Sequence, residues 1–215
     1  MATKRVLFTT KWICYVALLT AMVVATGYIP GLPVLSGKIY WCDFVIFMAA
    51  YILDPIGAAI VGGIGTTFFD LFGVNGTAYN AIPSLLIHGA QGLAASGIFM
   101  LLRFFFNKKE SEKRETVLAV LAGIFPALLV IVSYFLKRIT WEGLSPAVAV
   151  MKMPANVLQE IIGLGVAVVI LYVCKLKKQL KAAHLLPDFK LEMLGKREKT
   201  EAPPEPPEDG KPVEE

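Results

Sequence analysis

Residues 39–72 read IYWCDFVIFMAAYILDPIGAAIVGGIGTTFFDLF, 34 residues in which the only charged side chains are Asp43, Asp54 and Asp70. As one helix this block would reach about 51 Å, against a hydrocarbon core of roughly 30 Å. Asp54-Pro55 divides it. Aspartate suits a helix N-cap and proline the first helical position, so a new helix is expected at Pro55. Two short spans follow, about 39–53 and 55–72, joined by a tight turn.

The same reading extends in both directions. Residues 12–29 form an apolar stretch closed by Pro30-Gly31-Leu32-Pro33, and it is long enough to be a span rather than a cleavable leader. Beyond the central block lie spans at about 79–106, 116–136 and 147–174. The expected fold is an all-α membrane protein, a six-transmembrane-helix bundle over residues 1–174. The composition agrees: of 215 residues 56% are hydrophobic and 18% charged. Mean hydropathy is +0.62. These values exclude a soluble enzyme, a disordered regulator and a nucleic-acid-binding domain.

Charge placement orients the bundle. With the N-terminus in the cytoplasm, twelve Lys/Arg of residues 1–181 fall inside, and only Lys38, Lys137, Arg138 and Lys152 fall outside. That asymmetry satisfies the positive-inside rule with both termini cytoplasmic. Residues 175–199 are basic and suit an anionic inner leaflet. Residues 200–215, rich in Pro and Glu, are expected to be disordered.

Ionisable and amide side chains are costly within spans, so their pattern carries information. Asn80, Ser84, His88 and Gln91 recur at helical spacing along one face. Lys152, Asn156 and Gln159 do the same in the last span, with Glu160 at the edge of that stripe. Asp70 closes the third span, and Trp41 and Asp43 open the second. All of these fall in the outward halves of their helices, which predicts a polar pocket open to the outside. Trp141 joins them as a ring that could stack on a flat ligand. The competing reading is that the amides only cross-link helices and that the tryptophans mark the membrane interface.

A second pattern is the ridge Ala17, Ala21 and Ala25, small residues one turn apart that permit close helix approach. Cys14, Cys42 and Cys174 are far apart and form no metal or disulfide pattern. The chain has no HExxH, GxSxG or GxxxxGK[ST] motif. No enzymatic activity, cofactor or metal is expected, and ATP hydrolysis would have to come from another protein.

In order, these features resemble the substrate-binding S component of energy-coupling factor (ECF) transporters, the bacterial importers of vitamins. The resemblance covers about residues 11–174. It rests on Ala17-x-x-x-Ala21, Asp54-Pro55-Ile-Gly57, Gly62-Gly63-Ile-Gly65 with Asp70-Leu71, Ile87-His88-Gly89-Ala90-Gln91-Gly92, Ser133-Tyr134-Phe135-Leu136, and Met153-Pro154-Ala155-Asn156-Val157-Leu158-Gln159. Many relatives carry a lysine and a glutamate where this chain has His88 and Gln91. The resemblance implies a plasma-membrane subunit that binds one small water-soluble vitamin or precursor near the outer surface, under the loop at about residues 30–38. It also implies docking of the alanine ridge onto a transmembrane T subunit driven by two cytoplasmic ATPase subunits. The alternative is a structural or regulatory six-span protein without a ligand. The vitamin itself stays open. Rim cations would suit an anion such as folate or pantothenate, whereas Asp43, Asp70, Glu142 and Glu160 would suit a protonated pyridine or pyrimidine.

Overall fold

The computed structural model describes residues 9–34, 37–74, 76–106 and 111–182. The basic stretch beyond residue 182 and the Pro/Glu-rich tail lie outside these residues. The chain is an all-α membrane protein. Its helices are α1 (Thr10–Thr26), α2 (Cys42–Ile52), α3 (Pro55–Phe72), α4 (Ala81–Phe106), α5 (Glu112–Thr140), α6 (Pro146–Met151), α7 (Met153–Val168) and α8 (Leu176–Ala182). Among the described residues four helical segments are long and apolar enough to cross a membrane: Pro55–Phe72, Ala78–Phe106, Glu112–Thr140 and Pro146–Val173. The helices Thr10–Thr26 and Cys42–Ile52 are shorter and also apolar. Many large side chains of the long helices stay exposed, among them Leu86, Phe105, Phe125 and Ile161. This is the surface expected where hydrocarbon replaces water.

The break at Asp54-Pro55 has the expected chemistry. The Asp54 carboxylate accepts from the backbone N–H of Ile56 and Gly57 with Pro55 in the first turn, satisfying donors that a helix start leaves open. Its oxygen also accepts from the Trp12 indole, so the α2–α3 corner is pinned to the start of α1. The second helix is shorter than the hydropathy suggests. Residues 37–39 are extended and pair antiparallel with Leu32–Val34, Leu32 facing Ile39, so α2 begins at Cys42 and reaches only about 16 Å. The fifth helix is longer than expected, because Glu112 and Glu115 suit its first turn and Lys137 and Arg138 its last.

One apolar core joins the helices. Val45, Ile46, Phe47, Ala49 and Ala50 of α2 lie at its centre with Val23, Val61, Ala95, Phe99, Ala119 and Ala167 around them. The most extensive pairing is α3 on α4. Glycines allow it: a Cβ on Gly62 would lie 2.3 Å from the His88 carbonyl oxygen, and one on Gly92 would lie 2.3 Å from that of Ala58.

The end of the bundle where α4 stops and α5 starts is closed by α8. A π-helical turn at Val169–Val173 and a left-handed backbone at Lys175 (φ 58°) redirect the chain into that helix. Lys177 Nζ donates to Glu115 Oε1 at 2.9 Å and lies 4.7 Å from the centre of the Phe99 ring. Arg103 approaches the same carboxylate oxygen at 3.4 Å. Burial pulls the Lys177 amine down to about 8, with Arg103 pushing the same way and Glu115 opposing. A lysine released from this contact titrates near 10.4. Between these values the docked state holds fewer protons than the released one, so docking of α8 strengthens as pH rises from about 8 towards 10.4. Below pH 8 both states are protonated and the cost of burying the charge is present in full. In the reductively methylated protein, the NMR resonance abolished by Lys177→Arg is expected to titrate near pH 8. A midpoint at the ordinary lysine value would remove the buried contact.

Candidate functional site

The helix ends opposite α8 surround a cavity of about 560 Å³. α2, α4 and α7 begin there, while α3 and α5 end there. Its wall carries Gly37 and Lys38 of the hairpin, Tyr40, Cys42, and Thr66, Phe69 and Asp70 of α3. Thr77 and Asn80 follow from the turn before α4, and Ser84 and His88 from its first turns. Tyr134, Lys137 and Arg138 of α5, then Glu142, Lys152 and Gln159, close the ring.

Sequence periodicity placed two polar stripes on α4 and α7, and the structure turns both towards this end. Asp70 receives the Ser84 hydroxyl and, at 3.5 Å, the backbone N–H of Thr77. Thr66 donates to the Gly62 carbonyl oxygen at 2.7 Å and approaches that of Ser84 at 3.2 Å, tying α3 to α4 beside the cavity. The rings of Tyr40 and Phe69 meet edge to face at 5.5 Å.

Beneath the wall lies a buried network. The Gln91 amide nitrogen donates to Asp43 Oδ1 at 3.3 Å and Glu160 Oε2 at 3.1 Å. Its oxygen therefore faces His88 Nδ1, 2.8 Å away. An amide oxygen can only accept, so Nδ1 carries the hydrogen. In the neutral ring His88 Nε2 is then an acceptor for the Tyr134 hydroxyl at 2.9 Å. Asp43 Oδ2 also receives the Gln159 amide nitrogen, while Gln159 Oε1 accepts from the Tyr40 backbone N–H at 2.9 Å. One chain of bonds thus fixes the histidine tautomer and holds the hairpin exit to α7. Glu160 is 2% exposed, and its Oε1 has no hydrogen-bond partner.

The candidate residues fall into three positions. Asp70, Asn80, Ser84, His88, Lys152 and Gln159 are on the cavity wall. Asp43 and Gln91 lie one layer below it, fully buried. Trp41, Trp141 and Asn156 are not on the wall. Trp41 precedes α2 as its N-cap residue. The Trp141 ring is tilted by 43° against that of Tyr79, with centres 5.4 Å apart, and its indole donates to the Tyr79 carbonyl oxygen at 3.1 Å. Asn156 accepts from Arg138 at 2.7 Å. Tyr134, Thr66 and Phe69 were given no role from the sequence. Tyr134 could have been found, since it precedes Lys137 and Arg138 by three and four residues and shares their helix face. Ala17, Ala21 and Ala25 lie together on the exposed side of α1, away from the buried face of Trp12, Val16, Leu19 and Val23.

A cavity of this size, with hydrogen-bonding groups and aromatic edges in its wall, has the character of a small-molecule site. A comparison with curated proteins gives no match. The family model described as "ECF-type riboflavin transporter, S component" matches residues 7–178, which contain every helix lining the cavity. The chain therefore belongs to the S-component family of ECF-type riboflavin transporters, substrate-binding membrane subunits rather than enzymes.

Proposed function

We propose that this chain is the vitamin-capturing subunit of an ATP-driven importer in a bacterial plasma membrane. It spans the membrane six times with both termini cytoplasmic, so the cavity faces outward. The charge asymmetry supports this orientation, since the α8 end carries Arg103, Lys113, Arg114 and Lys177 while the cavity end carries the four cations of the outer side. The ligand is a small water-soluble vitamin or its precursor, and the family's name makes riboflavin the first compound to test. Ala17, Ala21 and Ala25 form the face that meets the transmembrane coupling subunit, which is driven by two cytoplasmic ATPases. The observation that carries the reading is the polar cavity at one end of an otherwise apolar bundle.

Within the site, Asp70, Asn80, Ser84, His88, Lys152 and Gln159 contact the ligand. Asp43, Gln91 and Asn156 hold those contacts in place, and Trp41 and Trp141 frame the entrance. The paired strands Leu32–Val34 and Gly37–Ile39 cover it. A second reading keeps some support, because Gln91 and Asn156 are already bonded to protein groups. In that reading the polar side chains join helices and no ligand binds.

Equilibrium dialysis of the purified chain with a vitamin panel, riboflavin included, separates the two. The transporter reading expects one saturable ligand at 1:1 stoichiometry and an affinity reduced about ten- to a hundredfold by Asn80→Ala or His88→Ala. No saturable ligand, with the same substitutions only lowering the melting temperature, would establish the helix-joining role instead.

A further inference from the structure

Four cations reach the cavity wall, and three of them have no carboxylate within ion-pair distance among the described residues. Lys137 is matched by Glu142 at 2.9 Å. Lys38, Arg138 and Lys152 are on the same wall without such a partner. Arg138 is nevertheless held in place. One guanidinium nitrogen donates to Asn156 Oδ1 at 2.7 Å, another approaches the Met153 sulfur at 3.8 Å, and the group lies 5.9 Å from the centre of the Tyr134 ring. These partners are neutral. They orient the guanidinium, and the carboxylate that acts on its charge, Glu142, is already paired with Lys137.

The acids of the site are committed elsewhere. Asp70 is on the wall but receives the Ser84 hydroxyl and the Thr77 N–H. Asp43 and Glu160 lie below the wall, bonded to Gln91 and, for Asp43, Gln159 as well. Two carboxylates, Asp43 and Glu160, thus lie beneath the wall. The two on it, Asp70 and Glu142, are bonded to Ser84 and Lys137, so three of the wall cations keep no ion-pair partner among the described residues. Cations at a cavity mouth attract and retain an opposite charge, and the planar fork of arginine matches a carboxylate or phosphate with two parallel bonds.

We infer that the ligand carries an anionic group, a carboxylate or a phosphate monoester, received by Arg138 with Lys152 and Lys38 beside it. Its ring lies deeper, against His88 and Ser84. This rests on the vitamin-binding reading above and goes beyond it. Riboflavin itself is uncharged, so on this inference its phosphate ester is the better ligand of the two.

The test compares compounds that share a ring and differ in the anion. The pairs are riboflavin with its 5′-phosphate, pyridoxal with its 5′-phosphate, and nicotinamide with nicotinate. Each is titrated into the full-length chain in neutral detergent. In the pair that binds, the anionic member is expected to bind at least about tenfold tighter. Arg138→Gln and Lys152→Gln should each reduce that preference, weakening the anionic member more than the neutral one. A phosphate pair or the carboxylate pair responding tells which anion is used. Equal or tighter binding of the neutral member, or a preference that survives both substitutions, would overturn this inference and leave the vitamin-binding reading standing. Absence of binding across all three pairs would count against both. Should Arg138→Gln fail to fold, Arg138→Lys keeps the charge without the fork and is expected to retain part of the preference, with Lys152→Gln supplying the neutralised case.

Discussion

Gly92→Val is expected to prevent this chain from folding into a stable bundle. A Cβ at residue 92 would stand 2.3 Å from the Ala58 carbonyl oxygen and 2.7 Å from its carbonyl carbon. Both are backbone atoms of α3, so no rotamer change can clear them. The two helices would have to separate along their whole contact, including the opposing close approach at Gly62. Overpacking ordinarily costs about 1–3 kcal/mol and occasionally more, and a clash between backbones belongs at the upper end. The measurement is size-exclusion elution and thermal melting in detergent, with loss of the single folded peak expected. Gly97→Ala is the control. It lies on the same helix with nothing within 4 Å of the added Cβ, and it should be neutral or gain up to about 1 kcal/mol from helix propensity. A Gly92→Val protein that elutes and melts like the parent would show that α3 and α4 are not so close.

The second large effect is on transport. Ala21→Trp should leave ligand affinity intact and abolish uptake by the assembled importer. Ala21 is exposed on α1, and among the described residues no α1 side chain is on the cavity wall. The buried face of α1 packs on α3 through other residues, so an indole at position 21 projects away from the core. On the proposed partner face it would hold the coupling subunit at a distance. Close approach of small residues is what such a contact depends on. Uptake into cells expressing the full complex should fall by about tenfold or more, equivalent to at least 1.4 kcal/mol lost at the interface. Equilibrium dialysis of the same variant should give the parental dissociation constant. Normal uptake would remove the alanine ridge from the partner surface.

The parts of this molecule that could be read from its residues are those set by local chemistry. Asp54-Pro55 marked a helix boundary because the aspartate cap and the proline both act within one turn. The α4 stripe was readable because Ser84, His88 and Gln91 repeat at helical spacing, and burial then turned that face inward. What could not be read depends on distant residues meeting. Ile39 reads as the start of a span from hydropathy alone, whereas it is the last residue of a strand and faces Leu32, a pairing with no local period to reveal it. The depth of each polar residue was equally hidden. Gln91 and Gln159 have the same side chain and lie on parallel stripes, yet one is sealed beneath the cavity and the other is on its wall. Nothing local to α7 indicated that Asn156 would receive Arg138 from α5.

The apolar core below the site has an electrical consequence. The polar network ends at Asp43, Gln91 and Glu160, and the next layers are Val45, Ile46, Phe47, Ala49, Phe99 and Ala119, all at most 2% exposed. An ion leaving the cavity downward would meet packed side chains in which the buried hydroxyls of Tyr51 and Ser96 are already bonded to the Ala119 and Leu53 carbonyl oxygens. The bundle is therefore an insulator along its own axis. A solute moving along that axis would have to part this packing. Cells making this subunit alone should keep their membrane potential, even with every copy of the site vacant.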